Sequence, residues 1–509
     1  MKKQLLFAAL LGILAIVGCG RTKTNNNSSD PVYEENWDSL AKHNKEPDWF
    51  ADAKLGIYFH WGLYSVPAFK GEWYPRWMYV PDRKAWGSGT FQYHEKTYGH
   101  PSEFNYHDFV PMFKAEHYDP AEWAQLFKKA GARFAGPVAI HHDGFAMWES
   151  EVNPWNAGDM GPKRDIAGEL YSELDKLGIK KIATFHHAKT LQRNADDTAR
   201  WAHGSSHFPY HPDYATSSTD PKLRLLYGNI PSEEFNDYWL GQITEVVDKY
   251  SPEIIWFDSW LNEMPEEYLL KMVAYQFNTG AAKGQENLVA YKQRDLPRNV
   301  GVLDIEQGGM KEMSPDYWMT DITISHSSWC YVQGQTYKEA PLVIRNMIDV
   351  WSKKGIVLLN ISPKADGTIP DEQRKVLGEI GEWLDTYGEA VYGTRTHSIF
   401  GYGVASIEDG NHGGQKATIQ YSADDIRFTS SKDGSVLYVF CLGRPEAGKV
   451  LQIQHVDNPA DPESSVKNVT VLGSNTPVKW EYIYSVLEIK APETEQMNEI
   501  ATIFKVEFE

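Results

Sequence analysis

The chain has 509 residues, of which 42% are hydrophobic and 23% are charged, a composition typical of a packed soluble protein that excludes disorder on a large scale. The formal net charge of −19 argues against nucleic acid as a partner, because nucleic-acid binders present a basic face. The length permits one large domain with a smaller companion. Aromatic residues make up 13% of the chain and include 18 Trp, which is compatible with stacking on sugar rings.

The first residues predict an export signal. Lys2 and Lys3 precede an apolar run over 5–17, which is too short to span a bilayer as a helix, so residues 1–18 are interpreted as a signal peptide. The segment ending at Cys19 resembles a bacterial lipobox, which predicts lipidation of Cys19 and a flexible tether over 19–35. We therefore expect an exported bacterial lipoprotein, held to a membrane by this anchor alone, in the periplasm or at the cell surface. An ordinary secreted protein cleaved nearby is the alternative.

Amphipathic helices alternate with short apolar strands over residues 36–395, a pattern typical of parallel α/β architecture. In the segment 119–131, for example, Trp123, Phe127 and Ala130 recur at helical spacing. The predicted helices cover 119–131, 165–178, 232–250, 265–278 and 341–355. The predicted strands lie within 54–62, 133–145, 179–187, 253–260, 287–292, 301–305 and 356–363.

Polar side chains follow several of these strands at the point where each strand ends. They are His60, His141, His142, His186, His187, Asp258 and Glu306. In a (β/α)8 barrel the carboxyl ends of the strands converge on one face and build the active site there. A doubly wound sheet would be expected to carry a Gly-rich phosphate turn, and none follows any predicted strand. The sequence therefore predicts an α/β fold with a (β/α)8-like TIM barrel.

After residue 396 the helical periodicity fades, and short alternating segments lie between Gly, Pro, Asn and Asp turns. These segments predict an antiparallel β-sandwich over 396–509. Cys330 and Cys441 fall far apart in the sequence, so we expect two buried thiols and no disulfide.

Two strand-end carboxylates, Asp258 and Glu306, are the pair that acid/base-assisted cleavage of a glycosidic bond requires. Either could instead cap a helix or pair with an Arg. The histidines raise the alternative of a metal site. A regular strand points adjacent residues to opposite faces, so His141 and His142 should not both face inward, and the sequence favours no metal.

Six longer segments carry a resemblance to a known family. They are AKLGIYFHWGLYSVPAF (53–69), EWYPRWMY (72–79), HHDGFAMWES (141–150), WNAGDMGPKRDI (155–166), YWLGQITEVVDKYSPEIIWFDSW (238–260) and LLNISPKADGTIP (358–370). Together they resemble glycoside hydrolase family 29, the α-L-fucosidases, over nearly the whole chain from about residue 35. The family's fold, a (β/α)8-like barrel followed by a C-terminal β-sandwich, agrees with the fold predicted above.

The resemblance implies roles for individual residues. Asp258 corresponds to the catalytic nucleophile, and Glu306 resembles the general acid/base, with Glu263 or Glu72 as alternatives because the family's acid/base varies in position. Residues implied to bind the fucose ring are His60, Glu72, Trp73, His141, His142, His186, Arg294 and Trp329. Three positions depart from the family: His186 stands where relatives commonly carry Tyr, Cys330 replaces a Gly, and YKQR (291–294) replaces an NDR ending.

The expected activity is that of a retaining exo-α-L-fucosidase acting on fucosylated oligosaccharides or glycoconjugates through a covalent fucosyl-enzyme, without metal or organic cofactor. A related exo-glycosidase acting on a galactose-type or sulfated sugar is one alternative. A catalytically silent sugar-binding lipoprotein is another. Linkage preference and oligomeric state stay open.

Overall fold

A computed structural model describes residues 31–193, 206–405, 418–458, 461, 465–483 and 486–509. The predicted signal peptide, its Cys19 and most of the tether lie outside the described residues. Residues 33–509 form one compact unit. In the part of the chain that is described, no helix has both the length and the apolar composition to cross a bilayer.

Eight parallel strands close into a barrel in chain order, each pairing with the next and the last with the first. They are β1 (Leu55–Phe59), β2 (Phe134–Ile140), β3 (Lys180–Phe185), β4 (Ile254–Phe257), β5 (Leu288–Lys292), β6 (Val302–Asp304), β7 (Trp318–Thr323) and β8 (Gly355–Ile361). The predicted TIM barrel is confirmed.

Seven of these strands coincide with predicted ones, whereas β7 was not predicted. Its sequence WMTDIT places Thr320, Asp321 and Thr323 between apolar residues, yet all three side chains are buried. A polar residue in a buried strand needs a hydrogen-bonding or charged partner, which the sequence cannot show. Asp321 has such partners inside the barrel, and they belong to the site described below.

Helices surround the barrel and lie between its strands. They are α1 (Trp37–Leu40), α2 (Asp48–Ala53), α3 (Tyr74–Trp77), α4 (Thr90–Thr97), α5 (Pro120–Lys129), α6 (Ile166–Leu177), α7 (Pro221–Tyr227), α8 (Ser232–Tyr250), α9 (Glu266–Lys283), α10 (Ala340–Ser352) and α11 (Asp371–Tyr387). The five predicted helices correspond to α5, α6, α8, α9 and α10.

Helix α5 shows how the sequence sets these boundaries. The side chain of Asp119 accepts hydrogen bonds from the backbone N–H groups of Ala121 and Glu122, and Pro120 occupies the first helical turn, where its missing N–H is not needed. Trp123 and Phe127 then face the barrel and are buried.

The C-terminal region is built from antiparallel strands in a six-stranded and a three-stranded sheet, as the predicted β-sandwich requires. The strands are β9 (Gly401–Tyr402), β10 (Ile426–Ser430), β11 (Val436–Cys441), β12 (Val450–Gln454), β13 (Val466–Val471), β14 (Thr476–Pro477), β15 (Lys479–Ile483), β16 (Val486–Lys490) and β17 (Thr502–Phe508). In β12 the buried Leu451 and Ile453 alternate with exposed neighbours, because only one face of the strand meets the core. Cys330 and Cys441 are buried free thiols, as expected.

Candidate active site

A pocket of about 360 Å³ opens at the carboxyl ends of the barrel strands. Nine of the ten predicted catalytic and substrate-binding residues line it: His60, Glu72, Trp73, His141, His142, His186, Asp258, Glu306 and Trp329. The barrel brings these residues together from positions up to 269 apart in the chain, since His60 follows β1 and Trp329 follows β7. A larger groove of about 820 Å³ beside α10 and α11 contains none of these residues and carries five glutamates instead.

The tenth residue, Arg294, corrects the prediction. Its side chain is exposed and does not line the pocket. Strand β5 ends at Lys292, and residues 293–296 form the turn that follows, in which the Arg294 side chain faces solvent. Lys292, the last residue of β5, lines the pocket instead.

His141 and His142 both line the pocket, contrary to the expectation from strand alternation. Strand β2 ends at Ile140, so the two histidines lie in a turn, where the alternation of faces no longer applies. His142 Nε2 lies 3.2 Å from Asp258 Oδ2. The His141 ring packs against the His186 ring with 4.7 Å between centroids.

Asp258 follows β4 directly, and its carboxylate is held on both oxygens. Oδ2 faces His142 at 3.2 Å and His186 Nδ1 at 3.6 Å, while Oδ1 lies 3.0 Å from Lys292 Nζ. Burial alone would raise the pKa of Asp258, but Lys292 and the two histidines together hold that pKa well below its usual range. Asp258 is therefore an ionised carboxylate that faces the pocket, with 14% of its side chain exposed.

Lys292 contacts three carboxylates at once. Its Nζ lies 3.0 Å from Asp258 Oδ1, 3.0 Å from Glu306 Oε2 and 3.1 Å from Asp321 Oδ2. Burial opposes its charge, but these carboxylates raise the pKa of Lys292 well above the usual value, so the ammonium stays protonated.

The shared lysine also bounds the distance between the two predicted catalytic acids. Two oxygens that each lie 3.0 Å from one nitrogen can be no more than about 6 Å apart. Retaining glycosidases place their two carboxyl groups roughly 5–5.5 Å apart, whereas inverting enzymes need about 6.5–9.5 Å to admit a water. The bound for Asp258 and Glu306 lies below the inverting range and is compatible with the retaining spacing.

Of the alternative acids, Glu72 lines the pocket and Glu263 does not. Burial, followed by the charge of Glu306, raises the pKa of Glu72 to about 7. Glu263 instead lies 3.4 Å from Arg193 Nε, outside the pocket. The geometry thus retains Glu306 and Glu72 as carboxyl groups that can face a sugar.

Three buried imidazoles form one wall of the pocket. His60 Nδ1 lies 2.8 Å from Asn360 Oδ1, which leaves Nε2 for a ligand, and burial lowers the pKa of both His60 and His141 so that they are neutral. Among the described residues, His141 Nδ1 and His186 Nε2 are buried without a hydrogen-bond partner. Imidazoles with free nitrogens suit the hydroxyl groups of a sugar.

The same side chains are also close enough to hold a metal ion. Ligand atoms of His60, His141 and His186 lie within 4.8 Å of one another, as do those of His142, His186 and Asp258. The second group would draw the Asp258 carboxylate away from a sugar. A metal bound there would therefore compete with the chemistry that the paired carboxylates support.

Aromatic rings enclose the rest of the pocket. Trp73 packs edge-on against His142, with 5.4 Å between ring centroids, and Trp329 lies 5.4 Å from His60. Trp86 stands at the rim with 52% of its surface exposed. By contrast Trp61 is buried against Trp123 in the barrel core, so it is not a platform for a ligand.

Seven further residues that were not predicted as site residues also line the pocket: Trp86, Lys189, Ser259, Trp260, Lys292, Gln293 and Asp321. One signal could have identified Lys292, because it ends a predicted strand just as the histidines and Asp258 follow theirs. Asp321 could have been found as the acid inside an otherwise buried segment. Trp86 follows no strand, and no pattern in the sequence marks it.

An eight-stranded barrel with an ionised carboxylate and a second carboxyl group nearby is the arrangement by which retaining glycoside hydrolases act. Comparison with known proteins identifies the family. The profile described as Alpha-L-fucosidase matches residues 21–389, and that of the Alpha-L-fucosidase C-terminal domain matches residues 415–507. The chain belongs to the α-L-fucosidase family, glycoside hydrolase family 29.

Individual relatives agree along most of their length. The tissue alpha-L-fucosidase of Rattus norvegicus is 29% identical over 459 residues, covering 88% of this chain and 86% of the relative. The Homo sapiens tissue enzyme is 28% identical and covers 92% and 90%. Among solved structures, the Thermotoga maritima alpha-fucosidase in complex with fucose has a TM-score of 0.70 at 28% identity, covering 93% of this chain and all of that one.

Proposed function

We propose that the protein is a retaining exo-α-L-fucosidase in which Asp258 is the nucleophile and Glu306 the general acid/base. Asp258 attacks the anomeric carbon of a terminal fucose while Glu306 gives its proton to the departing oxygen, which produces a fucosyl ester of Asp258. Glu306, now a carboxylate, then takes a proton from water as that water attacks the same carbon. Fucose leaves with its anomeric configuration retained, and both carboxyl groups return to their initial states.

The observation that supports this function most strongly is the placement of Asp258 and Glu306 on one lysine nitrogen. Their oxygens lie no more than about 6 Å apart, a spacing that fits direct attack by a carboxylate and leaves no room for the intervening water of an inverting enzyme. The ionised state of Asp258 is the state that a nucleophile needs.

The surrounding residues support a single terminal sugar as the bound unit. Imidazoles of His60, His141 and His186 face the cavity and can bond hydroxyl groups, while Trp73 and Trp329 offer apolar surface for the face that carries the methyl group. Glu72 adds a buried carboxyl group. Fucose is proposed as that sugar because the Thermotoga maritima relative holds fucose.

The test is to follow hydrolysis of an aryl α-L-fucoside by proton NMR and to identify the anomer that forms first. We expect the α anomer of fucose. The Asp258→Gly variant should be inactive on the same substrate, and azide should restore aryl release by forming the fucosyl azide of opposite configuration. Initial formation of the β anomer by the parent enzyme would contradict the retaining mechanism.

We also propose that the protein is an exported lipoprotein anchored through Cys19. This proposal rests on the sequence of residues 1–30 alone: two lysines, a short apolar run and a Cys after small residues. Expression in a bacterial host with labelled palmitate should give a labelled protein in the membrane fraction. The Cys19→Ala variant should lose both the label and the membrane association, and an unlabelled parent protein would refute the proposal.

A further inference from the structure

Lys292 contacts both carboxyl groups of the proposed catalytic pair. Its side chain is only 2% exposed, and its nitrogen is equally distant, at 3.0 Å, from an oxygen of Asp258 and an oxygen of Glu306. The two carboxyl groups that exchange roles in the proposed reaction thus share one positive charge.

A third carboxylate fixes the ammonium in this position. Asp321 Oδ2 lies 3.1 Å from Lys292 Nζ and also accepts a hydrogen bond of 3.0 Å from the hydroxyl of Tyr58. Neither Asp321 nor Tyr58 has a part in bond making in the proposed reaction. The Trp256 ring lies 4.8 Å from Nζ and restricts the side chain further. Lys292 is therefore held by Asp321 and Trp256 in addition to its contacts with the two reacting carboxyl groups.

The charges of those two groups change places during the reaction. Before the glycosidic bond breaks, the proposed reaction requires Asp258 as the anion and a protonated Glu306. Afterwards Asp258 is a neutral ester and Glu306 is the anion, because its proton has gone to the leaving oxygen. The negative charge near Lys292 is the same before and after, and only its location differs. In the oxocarbenium-like transition state the bond to Asp258 is only partly formed while Glu306 is already giving up its proton, so both groups carry negative charge. A cation equidistant from both stabilises that charge without moving.

We propose that Lys292 is the fixed positive charge that stabilises the negative charge shared by Asp258 and Glu306 in the transition state of each half-reaction, and so accelerates both. This proposal depends on the proposed roles of Asp258 and Glu306. A lysine that served folding alone would need no equal contact with these two acids, because Asp321 already provides it with a buried partner.

Other charged and titratable groups face this cluster and bear on its pH dependence. They are Tyr58 of β1, His60 after β1, Glu72, His142 after β2, His186 after β3, Lys189, Asp304 of β6 and Asp321 of β7. Burial, with the charge of Asp321 next, raises the pKa of Asp304 well above its usual range.

The test compares Lys292→Met with Lys292→Arg in the full chain, using an aryl fucoside with an activated leaving group and rapid mixing. In Lys292→Met we expect fucosylation and defucosylation to slow together, each by about 10²–10³-fold. Both limbs of the kcat/KM profile should shift to higher pH by about 1 to 3 pH units, because each acid loses a nearby cation. Lys292→Arg keeps the charge and should recover much of both rates.

Matched variants separate this proposal from the proposed function. With an activated leaving group, Glu306→Gln should slow only defucosylation, so the initial burst of released aryl group should grow. In Lys292→Met the ratio of the fucosylation and defucosylation rates should stay near the parental one. Lys181→Met removes a lysine that pairs with Asp175 outside the pocket and should leave both rates unchanged. If Lys292→Met fails to fold, Lys292→Arg with parental stability and no activity overturns the proposal. The proposal is also overturned if a folded Lys292→Met variant keeps the parental pH profile of kcat/KM, or if only one of the two steps slows.

Discussion

Two buried charge clusters, one in the barrel mouth and one between the barrel and the sandwich, are built on opposite plans. In the first, Lys292 is one cation among several carboxylates. In the second, Asp349 of α10 is one carboxylate between two cations, with Oδ2 3.0 Å from Lys353 Nζ and Oδ1 2.6 Å from Arg427 Nε of β10.

The clusters differ in how completely their polar atoms are paired. Both oxygens of Asp349 have a charged partner, and Lys353 also donates to a backbone carbonyl at 2.9 Å. Around the barrel mouth, in contrast, the described residues include buried nitrogens of His141 and His186 with no partner. A fully paired cluster stabilises one arrangement, whereas unpaired buried groups cost stability and are retained where a ligand completes them. The difference separates a cluster that joins two parts of the fold from one that binds and transforms a sugar.

The largest expected effect is on catalysis, in the cluster of the barrel mouth. Asp258→Ala removes the nucleophile and should lower kcat on an aryl fucoside by about 10⁴-fold or more. The thermal midpoint should change little, because Lys292 keeps Glu306 and Asp321 as partners. Steady-state kinetics and calorimetry on the same preparation measure both. A folded variant with near-parental turnover would remove Asp258 from the mechanism.

The second cluster should respond in the opposite manner. Asp349→Ala leaves Lys353 and Arg427 as buried cations without a carboxylate, which should cost about 3–5 kcal/mol of unfolding free energy. The kcat of the folded fraction should stay parental, since Asp349 does not line the pocket. Denaturant unfolding and activity below the transition provide the two readings. A large fall in kcat with unchanged stability would contradict a purely structural role for Asp349.

The sequence predicted the first cluster better than the second. Strand-end positions identified Asp258, the histidines and Glu306, because the barrel topology brings such positions to one face whatever the details of packing. Asp349 lies in the amphipathic helix α10, and its partner Arg427 comes from a strand that was not predicted. Their pairing depends on how the sandwich packs against the barrel, a long-range contact with no local pattern. Lys292 ends a predicted strand, but its pairing has no local pattern, since its three partners follow β4, follow β6 and lie in β7.

A buried acid outside the sugar pocket should give stability an unusual pH dependence. Burial raises the pKa of Asp143 to about 7, against the hydrogen bond of 2.6 Å that Tyr106 donates to it. The native state therefore binds a proton that the unfolded state releases above about pH 4. This contribution is fully present below that pH and is lost as the pH rises through 7.

Asp143→Asn is neutral at every pH and should abolish this loss. Relative to that variant, the parent should become less stable by up to about 4 kcal/mol between pH 4 and pH 8. Urea unfolding at a series of pH values measures the difference. Glu72→Gln is a second variant for this test. It should reduce the loss of stability with rising pH, as Asp143→Asn does, and it should also weaken sugar binding. Parallel stability curves for the parent and Asp143→Asn would contradict the prediction.

The smallest expected effect tests whether burial increases the coupling energy of the ion pair between Lys353 and Asp349. Lys449 and Asp424 form an exposed pair at 2.9 Å, nearly the same distance as Lys353 and Asp349. A double-mutant cycle on the exposed pair should give about 0–1 kcal/mol of coupling, and added salt should screen most of it. The same cycle on the buried pair should give several times more and should resist salt, because its ions are shielded from solvent. Equal coupling energies in the two cycles would contradict a role for burial in strengthening the Lys353–Asp349 pair. The two buried clusters would then differ only in their numbers of cations and carboxylates.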